Sequence, residues 1–163
     1  MQLWRPAYIG VGSNLDDPAG RVRAALAALA RLPDTRSLRS SGLWRSVPFG
    51  PVQQPDFINA AAALLTTLEA PQLLARLRAL EAQLGRERGA VRWGPRHIDL
   101  DLLALGAVQM QTPELTLPHA GIVERNFVLY PLADIAPEAW IPALGRVADL
   151  AARLPATGLE RLS

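Results

Sequence analysis

Arg92-Trp93-Gly94-Pro95-Arg96-His97-Ile98-Asp99-Leu100-Asp101-Leu102-Leu103 is the stretch from which the rest of this chain can be read. From Ile98 onward apolar and acidic residues alternate, and a β-strand sends successive side chains to opposite faces. Ile98, Leu100 and Leu102 then enter a core, while His97, Asp99 and Asp101 share the other face. At about 3.3 Å rise per residue the two aspartates stand roughly 6–7 Å apart. Carboxylates that close repel unless a cation lies between them. Mg²⁺, which takes one or two carboxylates together with phosphate oxygens and water, suits such a pair. Upstream, Gly94-Pro95 marks a turn, and Arg86, Arg88, Arg92 and Arg96 crowd the loop that leads into the strand. Guanidinium forks match phosphate oxygens, so acid pair and arginine loop together are what a Mg²⁺–nucleotide site needs. Standing alone, Asp-x-Asp on a strand is usually just the solvated face of an ordinary sheet.

Composition narrows the classes. The 163 residues fit one domain, able to bury about two-thirds of its unfolded surface. Half the residues are hydrophobic and 20% are charged, a folded composition rather than a disordered one. The absence of cysteine excludes a disulfide framework and thiolate chemistry. No secretory pattern or long apolar run is visible, so a soluble, cytoplasmic protein without membrane association is expected. The isoelectric point of 9.9 suggests nucleic acid, yet the net charge is only +2 and all 17 basic residues are arginine. The arginines are dispersed except between Arg86 and Arg96, which argues against a broad nucleic-acid-binding face.

Along the chain, residues Leu3 to Val11 read as a first strand. Gly10-Val11-Gly12-Ser13-Asn14 lacks the Gly-Lys-Ser/Thr ending of one phosphate loop and the full G-x-G-x-x-G of another, so its glycines are expected to let the strand end pack closely or turn. Val22, Ala25, Leu26, Leu29 and Leu32 have helical spacing over Pro18 to Leu32. Thr35 to Val47 looks extended, and the Pro-rich Pro48–Asp56 is a long loop, the kind that carries function. Phe57-Ile58-Asn59 opens a strand running to Thr67, in which a buried Asn needs partners. A second helix starts at Glu69-Ala70-Pro71, with Leu73, Leu74, Leu77, Leu80 and Leu84 as its stripe and Gly85 as its cap. After the Asp strand, Val108 to Met110 is expected to pair back as a hairpin arm. A short helix to Ile135, interrupted or kinked at Pro131, and a last helix over Val147 to Leu154 complete the chain. Helices alternating with strand pairs predict an α+β fold with a mainly antiparallel sheet.

Taken together, Tyr8-Ile9-Gly10-Val11-Gly12-Ser13-Asn14-Leu15, Phe57-Ile58-Asn59, Gly85-Arg86, Arg92-Trp93-Gly94-Pro95-Arg96-x-Ile98-Asp99-Leu100-Asp101 and Leu117-Pro118-His119 resemble the 6-hydroxymethyl-7,8-dihydropterin pyrophosphokinase family. These enzymes of folate biosynthesis move pyrophosphate from ATP to a pterin alcohol and release AMP. The resemblance runs to about Pro137. It implies a ferredoxin-like α/β/α sandwich, a monomer, two Mg²⁺ ions, and ATP and 6-hydroxymethyl-7,8-dihydropterin as partners. By position, Asp99 and Asp101 would hold the ions, and Arg86 and Arg96 would act with them in catalysis. Arg86, Arg88, Arg92, Arg96, His119 and Arg125 would grip phosphates or shape the nucleotide site, with Glu81 and Trp93 at further motif positions. Leu102 and Thr116 fall where the family contacts adenosine. Phe57 and Phe127 would sandwich the pterin. Asn59 would bond its edge along with backbone of Ser46, Val47 and Phe49, near Trp93 and Asp99. Departures occur at Gly89, Glu114 and Ala120, which bear on the outer contacts of the nucleotide.

The chemistry of the residues agrees with that assignment. In-line attack of an alcohol on phosphorus needs positioning and charge neutralisation more than covalent help. A flat heterocycle needs aromatic faces and a donor–acceptor edge. Without the resemblance, Phe57 and Phe127 would read as core, His119 as structural, and Arg88 and Arg92 as solvated loop charges. An RNA-binding module with a ferredoxin-like fold is the alternative from another class. A metal-dependent nuclease could use the aspartates but leaves Phe57, Asn59 and Phe127 unexplained.

Overall fold

Alternation in Arg5–Ser13 makes β1 an interior strand of the sheet, with Ala7, Ile9, Val11 and Ser13 all buried on one face. The computed structural model describes residues 2–48, 50–51, 53–85 and 98–163. In chain order β1 is followed by α1 (Pro18–Leu29), β2 (Thr35–Ser40), β3 (Trp44–Ser46), β4 (Phe57–Thr66), α2 (Ala70–Gln83) and β5 (Asp99–Leu105). Then come β6 (Met110–Gln111), β7 (Thr116–Leu117), a 3₁₀ turn at Ile122–Glu124, α3 (Asn126–Ile135), β8 (Trp140–Ile141), β9 (Gly145–Arg146), α4 (Val147–Ala152) and β10 (Leu159–Arg161).

The main sheet has the order β10-β3-β4-β1-β5, with β2 also paired to β4, and its pairs are antiparallel. The β-α-β-β-α-β succession, with the last core strand beside the first, is the expected ferredoxin-like arrangement. Helices α1 and α2 cover one face, where Val22, Leu29, Leu73 and Leu77 pack on Ile9, Val11, Leu100 and Leu102. Helices α3 and α4 cover the other, where Leu129, Leu132, Val147 and Leu150 meet Ala61, Ala63 and Leu103. The small alanines of β4 let helices approach from both sides, giving three layers.

Several boundaries and pairings differ from expectation. The first strand begins at Arg5 and runs through Ser13, so Gly10 and Gly12 lie inside it, not in a turn. The first helix stops at Leu29, and the extended stretch after it is two strands, β2 and β3. The second helix has a reciprocal cap between Glu69 and Gln72 and ends at Gln83, two residues before Gly85, whose φ of 103° is one that glycine adopts freely. Its buried stripe is Ala70, Leu73, Leu77 and Glu81; Leu74, Leu80 and Leu84 are only partly covered. The hairpin arm pairs with β7 instead of β5. Helix α3 continues through Pro131, and α4 ends at Ala152. The β8–β9 hairpin and β10 have no counterpart in the sequence reading.

The alternation of β5 changes midway. Ile9 pairs with Leu102 and Tyr8 with Ala104, leaving Leu103 as a bulge. Beyond Asp101 the face that carries the aspartates therefore turns apolar and meets the α3 layer through Leu103 and Ala104. Asp99 and Asp101 sit at the end of the strand where that layer stops.

Candidate active site

Sheet register places the site. Asp99 lies opposite Gly12, Gly12 opposite Asn59, and Asn59 opposite Trp44; one step along, Asp101 lies opposite Gly10 and Gly10 opposite Ala61. Residues directly opposite in antiparallel strands share a face. Between the acid pair and Asn59 the sheet thus presents two glycines and no side chain. A Cβ on Gly12 would lie 3.3 Å from Asn59 Oδ1 and 3.8 Å from Phe57 Cδ1. These glycines clear floor space, a role absent from the sequence reading because it needs the register.

That floor opens into a cleft of about 540 Å³ that wraps the edge of β5 away from β1. On the α3 side it is lined by Phe57, Asn59, Phe127, Ser46, Val47 and Gln54; on the α2 side by Leu74, Arg78, Leu102, Leu115, Thr116 and Glu114. Asp99 and Asp101, both half-buried, stand between the two halves, with His119 and Arg125 also on the wall. The geometry is bipartite, with a polar-edged aromatic end and an apolar end joined at two carboxylates.

At the aromatic end Asn59 is 4% exposed, and its Nδ2 donates to Ser46 Oγ at 2.7 Å. The bond fixes the amide plane while leaving it a carbonyl oxygen and a second N–H. Ser46 thus reaches the site through its hydroxyl, its backbone lying between β4 and β10. The Val47 N–H donates to the Gly158 carbonyl at 3.0 Å, so Val47 can meet a ligand through its carbonyl or its exposed side chain. Asn14, buried at the end of β1, donates from Nδ2 to Gln54 Oε1 (2.8 Å) and the Pro55 carbonyl (2.9 Å), which moors the Pro-rich loop to the cleft wall.

At the junction, the His119 N–H donates to the Leu103 carbonyl at 2.9 Å, and its Nδ1 accepts from the Gly121 N–H at 3.1 Å. Burial lowers the imidazole below its ordinary protonation range, Asp101 pulls it back up, and Arg125 lowers it again. The neutral ring therefore carries its proton on Nε2. A Cβ on Gly121 would come 2.7 Å from Arg125 Nε, so the missing side chain gives that guanidinium its seat. Glu81 also lines the cleft, but it is 5% exposed and its Oε2 accepts from the Leu100 N–H at 2.9 Å. Arg78 and Gln54 are wall residues that the sequence does not single out, and the glycines Gly10 and Gly12, read there as close packing or a turn, also lie in the wall. Arg86, Arg88, Arg92, Trp93, Arg96 and Phe49 lie outside the described residues.

Asp99 and Asp101 offer only oxygen donors, and no group of three or more His, Cys, Asp or Glu is gathered for a metal among the described residues. Such a pair suits a hard divalent ion that completes its shell with phosphate oxygens and water. The RNA-binding alternative fares poorly. Such modules stack bases on an open sheet face, whereas both faces here carry helices. No helix among the described residues is long and apolar enough to cross a membrane.

Comparison with known proteins points the same way. A family model described as 7,8-dihydro-6-hydroxymethylpterin-pyrophosphokinase matches residues 8–137. The chain is 46% identical over 155 residues to the 2-amino-4-hydroxy-6-hydroxymethyldihydropteridine pyrophosphokinase of Pseudomonas aeruginosa, covering 95% of each. It is 42% identical over 156 residues to the Methylorubrum extorquens protein of the same name, covering 96% of this chain and 98% of that one. Among solved structures, Plasmodium falciparum HPPK-DHPS wild type with pteroate superposes with a TM-score of 0.69 at 14% identity. The match covers 94% of this chain and 43% of that longer one, a likeness of fold.

Proposed function

The chain belongs to the 7,8-dihydro-6-hydroxymethylpterin-pyrophosphokinase family, and we propose that its bipartite cleft transfers diphosphate from ATP to 6-hydroxymethyl-7,8-dihydropterin. The hydroxymethyl oxygen bonds to the β-phosphorus as the bond from that phosphorus to the α–β bridging oxygen breaks. AMP leaves, the alcohol gives up its proton, and the pterin diphosphate goes on to folate. The observation that carries this reading is the row Asp99–Gly12–Asn59, with Asp101–Gly10 beside it, which sets an acid pair and a buried amide on one side-chain-free floor.

Each end then has a task. Phe57 and Phe127 offer faces to a flat ring, and Asn59, held by Ser46, offers a donor and an acceptor to its edge. Leu102, Leu115 and Thr116 suit an adenosine. Asp99 and Asp101 would hold two Mg²⁺, which neutralise phosphate charge and template the in-line approach. His119 Nε2–H and the Arg125 guanidinium, both on the cleft wall, would donate to phosphate oxygens. Much of the rate enhancement is then positioning and electrostatics. A monomer follows from the family resemblance alone, and the use of ATP supports a cytoplasmic location.

The test is direct. Purified protein incubated with the pterin alcohol, ATP and Mg²⁺ should yield AMP and the pterin diphosphate in equal amounts, and chelation of the metal should stop both. ADP as the nucleotide product, or none, refutes the reading.

A further inference from the structure

We propose that Glu81 is a positioning residue for the acid pair, its carboxylate capping the edge of β5 away from β1 at the peptide between Asp99 and Asp101. The proposal rests on the diphosphate-transfer reading above. Among the described residues β5 ends the sheet order, with β1 as its strand partner. An edge strand leaves the N–H and C=O groups of every second residue unpaired on its outer side. Leu100 is such a residue, and its N–H donates to Glu81 Oε2 at 2.9 Å. Because backbone groups alternate along a strand, the amides of Asp99 and Asp101 then turn toward Gly12 and Gly10 of β1. The bond from α2 thus holds the strand on the side away from β1.

Glu81 sits on the buried face of α2. It continues the Leu73–Leu77 stripe of α2, four residues on, and is as buried as Leu100 itself. A carboxylate at such a position destabilises unless it is hydrogen-bonded, and a leucine would fit the stripe without that demand. What the glutamate adds is a fixed peptide plane. Metal-binding carboxylates depend on partners that orient them, and loss of such a partner costs about 10–100-fold in metal affinity. Here the orienting bond acts through the backbone that joins the two ligands.

The experiment compares Glu81→Leu, which keeps the packing and loses the acceptor, with Glu81→Gln, which keeps an acceptor at the same reach. Hydrogen exchange at the Leu100 amide is read together with the Mg²⁺ concentration for half-maximal Mg²⁺–ATP binding by calorimetry, and with pterin affinity. In Glu81→Leu the Leu100 amide should exchange faster, and the Mg²⁺ half-saturation should rise, each by about tenfold. Pterin affinity should hold within about twofold. Glu81→Gln should restore protection and Mg²⁺ half-saturation to within about threefold of the parent. An unchanged Mg²⁺ half-saturation in Glu81→Leu overturns the proposal. So does a Gln variant as impaired as the Leu variant, because the carboxylate would then act by charge. Should Glu81→Leu fail to fold, the Gln variant decides alone, on the same two readings. These readings need no turnover, so failure of the parent protein to form AMP would refute the reaction and leave Glu81 to be judged separately.

Discussion

At His119 three influences meet: burial, which opposes the charge, Asp101, which favours it, and Arg125, which opposes it. An NMR titration should find its midpoint below about 6.5, the ordinary imidazole value. Asp101→Asn should lower the midpoint further, and Arg125→Ala should raise it; shifts in the opposite sense would mean the ring does not face these groups. The linkage has a definite sign. As pH falls from the ordinary value toward the depressed one, the unfolded chain binds a proton that the folded chain refuses, so stability declines over that window. For the acid pair, Asp99→Ala or Asp101→Ala should leave thermal unfolding nearly as it was, since each variant relieves repulsion, while AMP formation falls by orders of magnitude. Near-normal turnover in either variant at limiting Mg²⁺ would remove that residue from the metal site. Phe127→Ala should weaken pterin binding by about 1–3 kcal/mol and barely touch ATP; equal losses for both ligands would make Phe127 a packing residue. The aspartates were legible because period two alone sorts them onto one face. Phe127 was not legible without the family's motif, because an aromatic on a helix is core in most proteins, and the bond from Asn59 to Ser46 joins residues thirteen apart on neighbouring strands.

Among the elements, β1 gives the sharpest contrast between pattern and register. Its apolar residues announced a strand, and its glycines were read as strand-end packing or a turn. Their closeness to neighbours is confirmed and the turn is not, because Gly10 and Gly12 stay inside the strand opposite Asp101 and Asp99. Which face a glycine leaves empty cannot be known before the partner strands are. Gly12→Ala tests that floor. Its backbone shows no positive φ, so alanine costs no strain, yet the new methyl would press on Asn59 Oδ1 at 3.3 Å. The KM for pterin should rise about tenfold, the effect of losing roughly one hydrogen bond, with the KM for ATP and the melting temperature close to the parent's. Equal rises in both KM values would show that the methyl disturbs the acid pair rather than the amide. The misplaced hairpin arm has a similar cause. Thr112 closes a turn onto Leu115 through both its backbone and its hydroxyl, which directs Met110-Gln111 to Thr116-Leu117. Two-residue strands carry no period from which such pairing could be read.

Across the whole molecule, the pterin end depends on residues far beyond it in sequence. Strand β10 lies against β3, and the segment around it makes further ties. Val47 N–H donates to Gly158, Leu43 N–H to Ser163 Oγ at 2.7 Å, Arg161 pairs with both carboxylate oxygens of Asp134 at 2.8 Å, and its guanidinium stacks 4.4 Å above Trp44. Trp44 in turn donates to Asp134 at 3.1 Å and meets Tyr130 edge-on. Strand β3 is thereby clamped between β4 and the chain's end, and it carries the Ser46 that orients Asn59. The family match stops at residue 137, and Leu159-Glu160-Arg161 has neither the length nor the alternation to announce a strand, so this clamp was invisible in the sequence. Deleting residues 159–163 should lower the melting temperature by several degrees and weaken pterin binding, while Mg²⁺–ATP binding at the far half of the cleft stays close to that of the intact chain. Arg161→Ala should do the same more mildly, because its ion pair is solvent-exposed and screened. The comparison separates a clamp from a general scaffold. If both ligands weaken in step with the loss of melting temperature, β10 supports the fold as a whole, and the ordering of Ser46 and Asn59 comes from β4 alone.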